Sequence, residues 1–259
     1  MQQQNNICNF NSSDSWVILS PIEQSIKRKI ESVGTPLKDW DIQINYGIKT
    51  GFNDAFIIST EKRNEILANC KDADERQRTA ELIRPILRGR DIKRYGYVDN
   101  GLYLINTHNG VRGRIPRIKI EDYPAVKAHL DQYWDRIATR ADKGDTPYNL
   151  RNCAYLEDFS RPKIVYPETT QGAYFTFDNK GLYIDNTCFM LIADDAEYLQ
   201  HTLSSRLFEF AYKRIFASVE LGEHGYQYNK HALVKLPVIK PHKFFLLDAK
   251  NVDAHIYKL

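Results

Sequence analysis

The feature that most constrains this chain is the stretch Glu81–Tyr95, in which basic and apolar residues are mixed around two helix breakers. Pro85 has no backbone N–H and Gly89 disfavours helix, so no continuous helix can run through the segment. The apolar residues predict that this stretch packs against a core as a strand and a turn, with its basic side chains at the edge of the strand or in the turn. Those basic residues are Arg84, Arg88, Arg90, Lys93 and Arg94.

Positive charge is concentrated around this stretch. Between residues 81 and 119, nine basic residues stand against three acidic ones, a net charge of +6, whereas the whole chain of 259 residues carries +3. A concentrated, arginine-rich patch is typical of proteins that contact the phosphates of nucleic acids. The alternative is an ordinary solvated surface, with some arginines held in ion pairs and Asp91 as a possible partner.

Composition predicts a folded protein outside the membrane. Hydrophobic residues make up 42% of the chain and charged residues 27%, which favours a substantial core over global disorder. No apolar run reaches the roughly 20 residues that span a bilayer. The start of the chain is not signal-like and the cysteines form no Cys-x-x-Cys pair, so we expect reduced thiols and a cytoplasmic location. The cysteines are Cys8, Cys70, Cys153 and Cys188.

Hydrophobic periodicity predicts helices and strands without regular βαβ alternation, and hence an α+β fold with mixed or antiparallel sheets and a few packed helices. Ser20 and Pro21 predict a helix start, as N-cap and first helical residue. Other predicted elements are a strand over Ala55–Ile58, a helix from Tyr123 to before Gly144, a strand over Lys163–Tyr166, a hairpin joining Ala173–Asp178 to Leu182–Asp185, a strand over Cys188–Ala193, and a helix capped by Asp194 or Asp195 that extends to Ile215.

Searches for catalytic motifs find no complete set. There is no Asn/Asp-Pro-Pro-Tyr/Phe sequence or cofactor-binding glycine turn for an amino-methyltransferase, no Gly-x-Ser-x-Gly elbow, and no Cys/His spacing for zinc. Asp-x-Lys triplets, as in magnesium nucleases, have no accompanying Pro-Asp; they start at Asp91, Asp178 and Asp248. The sequence therefore argues against an active site within this chain.

Six segments, taken in order, resemble one family. Each is similar to a motif of the TaqI-like C-terminal specificity domain, and together they extend over roughly residues 40–240. The fifth departs from the common Leu-Asn-Ser at Ser204. The segments are Tyr46–Phe56, Ile83–Ile92, Tyr123–Leu130, Arg161–Tyr166, Leu203–Leu207 and Leu236–Ile239.

The resemblance implies a domain that reads duplex DNA for a restriction-modification enzyme. An adenine methyltransferase module, and in many relatives a nuclease module, would lie elsewhere and would use S-adenosylmethionine and Mg²⁺, with no cofactor in this segment. We accordingly expect residues 1–20 to be a linker or flexible lead-in, residues 21–245 to be the DNA target recognition domain with a possible subdivision near residues 148–160, and residues 246–259 to be a tail.

In such a domain, phosphate contacts position the protein and contacts to base edges specify the sequence. The five basic residues of Glu81–Tyr95 are the predicted phosphate ligands. Direct readout is assigned to Glu168, Thr169, Thr170 and Gln171, for which the alternative is an ordinary polar turn. Further candidates lie in two glycine-containing loops, Lys49, Thr50 and Asn53 in the first and Arg112 and Arg114 in the second, and near the C-terminus, Gln227, Tyr228 and Lys230.

Two other functions remain open from the sequence. A basic surface also suits a protein-interaction module, and a nuclease could hold an active site that the motifs do not reveal. Salt-dependent DNA binding would favour the DNA-reading function over the first alternative, and magnesium-dependent cutting would identify the second.

Overall fold

The computed structural model describes residues 18–216, 220–221 and 225–241. The predicted tail, Cys8 and all but the last three residues of the predicted lead-in lie outside these ranges, and the subdivision near residues 148–160 stays a prediction. The described part is α+β, as predicted. Its α-helices are α1 (Pro21–Val33), α2 (Asn53–Phe56), α3 (Thr60–Ala68), α4 (Ala73–Leu82), α5 (Pro124–Asp131), α6 (Trp134–Thr139), α7 (Ala196–Leu203), α8 (Arg206–Ala211) and α9 (Lys230–Leu233).

Short strands make up most of the remaining regular structure. They are β1 (Thr35–Pro36), β2 (Ile42–Tyr46), β3 (Ile57–Ser59), β4 (Ile83–Leu87), β5 (Ile92–Lys93), β6 (Gly96–Tyr97), β7 (Leu102–Ile105), β8 (Lys163–Pro167), β9 (Thr169–Thr170), β10 (Thr176–Asp178), β11 (Tyr183–Ile184), β12 (Cys188–Ala193), β13 (Glu220–Leu221), β14 (Gly225–Gln227) and β15 (Pro237–Val238).

The central sheet is antiparallel, in the order β10-β8-β12-β2, and both of its faces are covered. Side chains on a strand alternate between faces. Along β8, Ile164 and Tyr166 enter one apolar cluster while Val165 enters another. Along β12, Phe189 and Leu191 join the first of these clusters and Met190 the second. Burial on both faces explains why these strands read as unbroken apolar runs.

A second sheet, in the order β11-β4-β7-β3, lies in the same cluster as Val165 and Met190. Its strand β4 is the first half of the basic stretch, with Ile83, Ile86 and Leu87 buried. A 3₁₀ turn, Gly89–Asp91, follows and leads into β5. The prediction of strand and turn across Pro85 and Gly89 is thereby confirmed.

The predicted hairpin of Ala173–Asp178 with Leu182–Asp185 is wrong. Strand β10 pairs with β8 in the central sheet, whereas β11 pairs in parallel with β4 in the second sheet. The chain therefore crosses from one sheet to the other between Asp178 and Tyr183. Gly181 has φ +74°, a conformation that glycine adopts without strain, and it allows the sharp change of direction.

A buried ion pair stands at this crossing. Lys163 of β8 lies opposite Asp178 of β10, and both side chains are completely buried, with 2.5 Å between Nζ and Oδ2. Lys163 also donates to the carbonyl of Phe159, at 2.5 Å. The Asp178 carboxylate accepts from the backbone N–H groups of Lys180 and Leu182, at 2.8 and 2.9 Å. Burial lowers the pKa of the Lys163 ammonium, and the Asp178 carboxylate opposes that shift.

Other predicted elements hold with local corrections. Helix α1 begins with a capping box between Ser20 and Glu23, as the Ser-Pro start predicts. Strands β8 and β12 lie where they were predicted. Residues Ala55–Phe56 are helical in α2, so the predicted strand begins only at Ile57.

Two predicted long helices are each broken. The first divides into α5 and α6 around Tyr133, and the second into α7 and α8 where Ser205 starts a new helix as its N-cap. Apolar spacing continues across both breaks, and for that reason the pattern alone overestimates helix length. Trp134 is 44% exposed, so it is not the core residue that the spacing predicts.

Cys70, Cys153 and Cys188 are free thiols, which is compatible with the predicted reduced state. Within the described ranges, no helix is both long and apolar enough to cross a lipid bilayer.

Breaking the buried ion pair should be costly. We expect Lys163→Met to lower the free energy of unfolding by about 3–5 kcal/mol, because the Asp178 charge would then lie buried without its partner. The matched control is Lys180→Met, which replaces an exposed lysine between β10 and β11. It should change the free energy of unfolding by no more than about 0.5 kcal/mol. Urea denaturation of both variants measures the difference, and equal losses would contradict a special role for the pair.

Candidate nucleic-acid interface

The basic stretch and the predicted readout turn meet in one open groove. This first groove, of about 710 Å³, is lined by three segments that are distant in sequence, with Tyr174 beside them. The three segments are Arg88–Lys93, Pro167–Gln171 and Asp185–Thr187. The structure thus brings three of the five basic residues of that stretch, Arg88, Arg90 and Lys93, together with the predicted readout residues.

Thr187 connects the three lining segments of the first groove by hydrogen bonds. Its hydroxyl accepts from the backbone N–H of Gly89 at 2.9 Å and donates to the Asp185 carboxylate at 2.5 Å. Its carbonyl accepts from the backbone N–H of Glu168 at 2.9 Å. The three lining segments are therefore fixed relative to one another by direct hydrogen bonds.

Arg88 is held by the partner that the sequence suggested. Asp91 is buried and accepts from the Arg88 backbone N–H at 2.9 Å and from its Nε at 3.3 Å. Asn100 donates to the same carboxylate at 2.8 Å. This network fixes the 3₁₀ turn, and it neutralises much of the charge of Arg88.

The exposed side chains at the first groove include cations, amides and threonine hydroxyls. Arg90 and Lys93 are exposed on one wall. Gln171 and Thr169 are exposed in the second lining segment, and Asn186 is exposed in the third. Cations can engage phosphates while side-chain amides can form paired hydrogen bonds to a base edge, so the groove carries both kinds of group.

A second groove, of about 570 Å³, adjoins the first at Asn186, which lines both. Its other lining residues lie in Tyr46–Lys49 and Arg151–Tyr155. Arg114 donates to the carbonyl of Ala154 in this lining at 3.2 Å and forms an ion pair with Glu157.

Two acidic groups in the second groove stay neutral. Burial raises the pKa of the Cys153 thiol to about 11 and that of the Tyr155 phenol to about 12. Neither group therefore adds negative charge to the groove at neutral pH.

Burial corrects the assignment of three predicted site residues, which cannot present their side chains to a ligand on the surface. Thr50 is 1% exposed and donates to Asn53 at 2.5 Å, although Lys49, Gly51 and Asn53 of the same loop are exposed. The Thr170 hydroxyl is turned back onto the Gly172 backbone. Tyr228 is 2% exposed and packs among Tyr166, Tyr212, Tyr226 and Phe175.

Two predicted phosphate ligands are occupied within the fold. Arg94 donates to the Ser204 carbonyl at 2.7 Å and forms an ion pair with Glu209. Arg84 lies over the ring of Tyr183, 5.9 Å from its centroid, and does not line the first groove. Arg84 and Arg94 therefore fit the alternative in which some basic residues form contacts within the fold.

Four other predicted residues lie outside the first groove. Arg112 and Asn53 are exposed in their loops, and Lys230 donates to the Ile44 carbonyl at 3.2 Å on a different part of the surface. Gln227 pairs with Thr169 in the β14-β9 ladder and so stands directly beside the first groove.

Sequence reasoning missed Asn186, Thr187, Tyr46 and Arg151 among the groove residues. The available signal for the first two was a polar Asp-Asn-Thr turn directly before a buried strand. The error in the predicted hairpin hid it, because the turn's location depends on strand β11 joining the second sheet. Tyr46 is 54% exposed at the end of β2 and packs against Phe189 in a tilted arrangement, with 4.4 Å between ring centroids.

Comparison with known families decides the kind of domain. Residues 84–238 match the TaqI-like C-terminal specificity domain. The chain belongs to this family. All three segments that line the first groove lie within the matched range.

Two solved structures share the fold of this specificity domain. One is that of the type IIL restriction-modification enzyme MmeI in complex with DNA, with a TM-score of 0.56 and 16% identity over 86% of this chain. The other is that of the type IIG restriction endonuclease BpuSI, with a TM-score of 0.54 and 13% identity over 88% of this chain. The specificity domain spans 28% of the MmeI chain and 27% of the BpuSI chain.

The contact between Gly47 and the Asp185–Thr187 turn provides a test of the groove geometry. A Cβ at residue 47 would lie 1.9 Å from the Asp185 carbonyl oxygen, so Gly47→Ala must push the two segments apart. We expect it to lower the free energy of unfolding by about 1–3 kcal/mol. Gly96→Ala, whose Cβ would meet nothing within 4 Å, is the control and should change it by at most about 0.5 kcal/mol. Denaturation curves for both variants decide, and a Gly47 variant as stable as the control would contradict this packing.

Proposed function

We propose that this specificity domain recognises a duplex DNA sequence through the first groove. The observation that carries the proposal is the groove itself, in which exposed Arg90 and Lys93 line the same concave surface as exposed Gln171 and Asn186. Cationic groups beside amide groups are what a protein needs to hold the DNA backbone and read its bases at the same time.

The cationic and the amide side chains of the groove have different roles. Arg90 and Lys93 contact phosphates, which adds affinity for any sequence. Gln171 and Asn186 contact base edges, where a side-chain amide can pair bidentately with adenine. Arg88, held by Asp91, shapes the groove wall rather than serving as a free cation.

The proposal extends to the enzyme of which such a domain forms part. The chain spans less than a third of the length of MmeI or BpuSI, which are named as a restriction-modification enzyme and a restriction endonuclease. We infer that an adenine methyltransferase module, joined by a nuclease module in an enzyme that also cuts, acts on the DNA that this domain selects. S-adenosylmethionine and Mg²⁺ would serve those modules.

Two of the three carboxylates that resembled a nuclease motif already have structural partners, and the third, Asp248, lies outside the described residues. Asp91 is bound to Arg88 and Asn100, and Asp178 to Lys163. Among the residues that the structure describes, no group of three or more His, Cys, Asp or Glu side chains is placed to hold a metal ion. These observations support recognition over cutting as the proposed role of this domain.

Replacing a base-reading amide should change sequence preference. We expect Gln171→Ala and Asn186→Ala each to relax discrimination at one position by about 1–3 kcal/mol, because the paired hydrogen bonds to one base are lost. Selection of bound duplexes from a randomised library, followed by sequencing, measures preference at every position. An unchanged preference in both variants would contradict the assignment of these amides.

Replacing a phosphate ligand should instead weaken binding to all sequences alike. We expect Lys93→Met to reduce the slope of log affinity against log salt concentration by about one. The control is Lys62→Met, which removes a half-buried lysine, paired with Glu65, from helix α3 outside both grooves. Fluorescence anisotropy of a labelled duplex at several salt concentrations gives the slopes. A loss of sequence preference with an unchanged slope would show that Lys93 reads a base instead.

A further inference from the structure

The second groove carries a charged cluster that the proposed function leaves unused. Lys49 and Arg151 stand on either side of one carboxylate, Asp142, with Lys49 Nζ 3.0 Å from Oδ2 and Arg151 Nη1 3.2 Å from Oδ1. Lys49 and Arg151 are 49% and 53% exposed, so both cations remain open to solvent. The cluster carries one net positive charge at the rim of a concave surface.

A buried arginine holds all three segments of this cluster in place. Arg140, 7% exposed, donates to the carbonyls of Thr50, Asp142, Pro147 and Asn149, and its guanidinium lies over the ring of Phe56, 4.3 Å from the centroid. Burial lowers the pKa of Arg140 to about 10, so it stays charged at neutral pH.

These carbonyls lie next to the exposed charges. Thr50 follows Lys49, Asp142 is the shared carboxylate, and Asn149 precedes Arg151 by two residues. The backbone bridge between Lys143 and Leu150 closes the same loop. The two exposed cations are therefore set at a fixed spacing by the fold rather than by their mutual contact with Asp142.

We propose that Lys49 and Arg151 form a clamp for the phosphodiester backbone of duplex DNA. The inference rests on the proposed function, because the clamp would hold the continuation of the duplex that occupies the first groove. Asn186 lines both grooves, so a strand that leaves the base-reading segment passes directly to Lys49 and Arg151. Phosphate oxygens replace the Asp142 oxygens as partners of the two cations.

Asp142 acts as a competitor for the clamp. Exposed ion pairs contribute little to stability, so a phosphate can displace the carboxylate at small cost. The carboxylate nevertheless stays nearby and repels the phosphate. Arg140 binds the backbone carbonyl of Asp142 and not its side chain, so the neutral variant Asp142→Asn keeps the loop in place.

The clamp predicts opposite effects for two variants of the full chain. With a labelled mixed-sequence duplex, Lys49→Met/Arg151→Met should reduce the salt slope of binding by roughly two, since each cation neutralises one phosphate. Asp142→Asn should tighten binding severalfold. Sequence preference in a randomised library should be unchanged in both, because neither replaces a base-reading amide.

A matched control separates the clamp from a general change in charge. Lys62→Met/Arg78→Met also removes one lysine and one arginine, from helices α3 and α4, which contribute no residue to either groove. Fluorescence anisotropy across a salt series compares the slopes. Slopes that fall equally in the test and control variants, or weaker binding by Asp142→Asn, would overturn the clamp.

The same experiment distinguishes failure of the clamp from failure of the proposed function. If the unaltered chain binds the duplex and the double variant binds with the same slope, the clamp is contradicted and the first groove is not. If the unaltered chain binds no duplex, the proposed function is contradicted and the clamp with it.

Discussion

The fold depends on the buried ion pair between Lys163 and Asp178 at the point where the chain changes sheets. Asp178 ends a strand of the central sheet, accepts the backbone N–H groups of the crossing turn, and so directs the next strand into the second sheet. Burying the charge of Lys163 or of Asp178 without its partner would be strongly unfavourable, so the crossing requires both residues. The central sheet that they anchor is covered on both faces, and its apolar strands hold the two cores together.

The first groove follows from that crossing. Strand β11 pairs with β4, and the Asp185–Thr187 turn follows β11 directly. This turn therefore lines the first groove together with the 3₁₀ turn that carries Arg90 and the segment that carries Gln171. Thr187 then bonds to both neighbours. Exposed groups from three distant segments thus share one rigid surface, and rigid placement is what base recognition requires, since hydrogen bonds to a base edge depend on geometry.

The sequence predicts the local elements well and the groove only in part. Pro85 and Gly89 predict the strand and turn of the basic stretch, and the Ser20–Pro21 start predicts helix α1. The charge distribution predicts Arg90 and Lys93 as candidate phosphate ligands. Strand partners cannot be predicted in the same way, because residues close in sequence, such as those of β10 and β11, can pair with strands far away. Burial of Thr50 and Thr170 is likewise set by tertiary packing, and Asn186 becomes a groove residue only through that packing.

Amide hydrogen exchange of the full chain, with and without a duplex that it binds, tests the central claim most directly. We expect slower exchange in the Arg88–Lys93, Glu168–Gln171 and Asp185–Thr187 segments when DNA is present, with little change in helices α3 and α4. Protection confined to those helices or to α1, with the three groove segments unchanged, would contradict it.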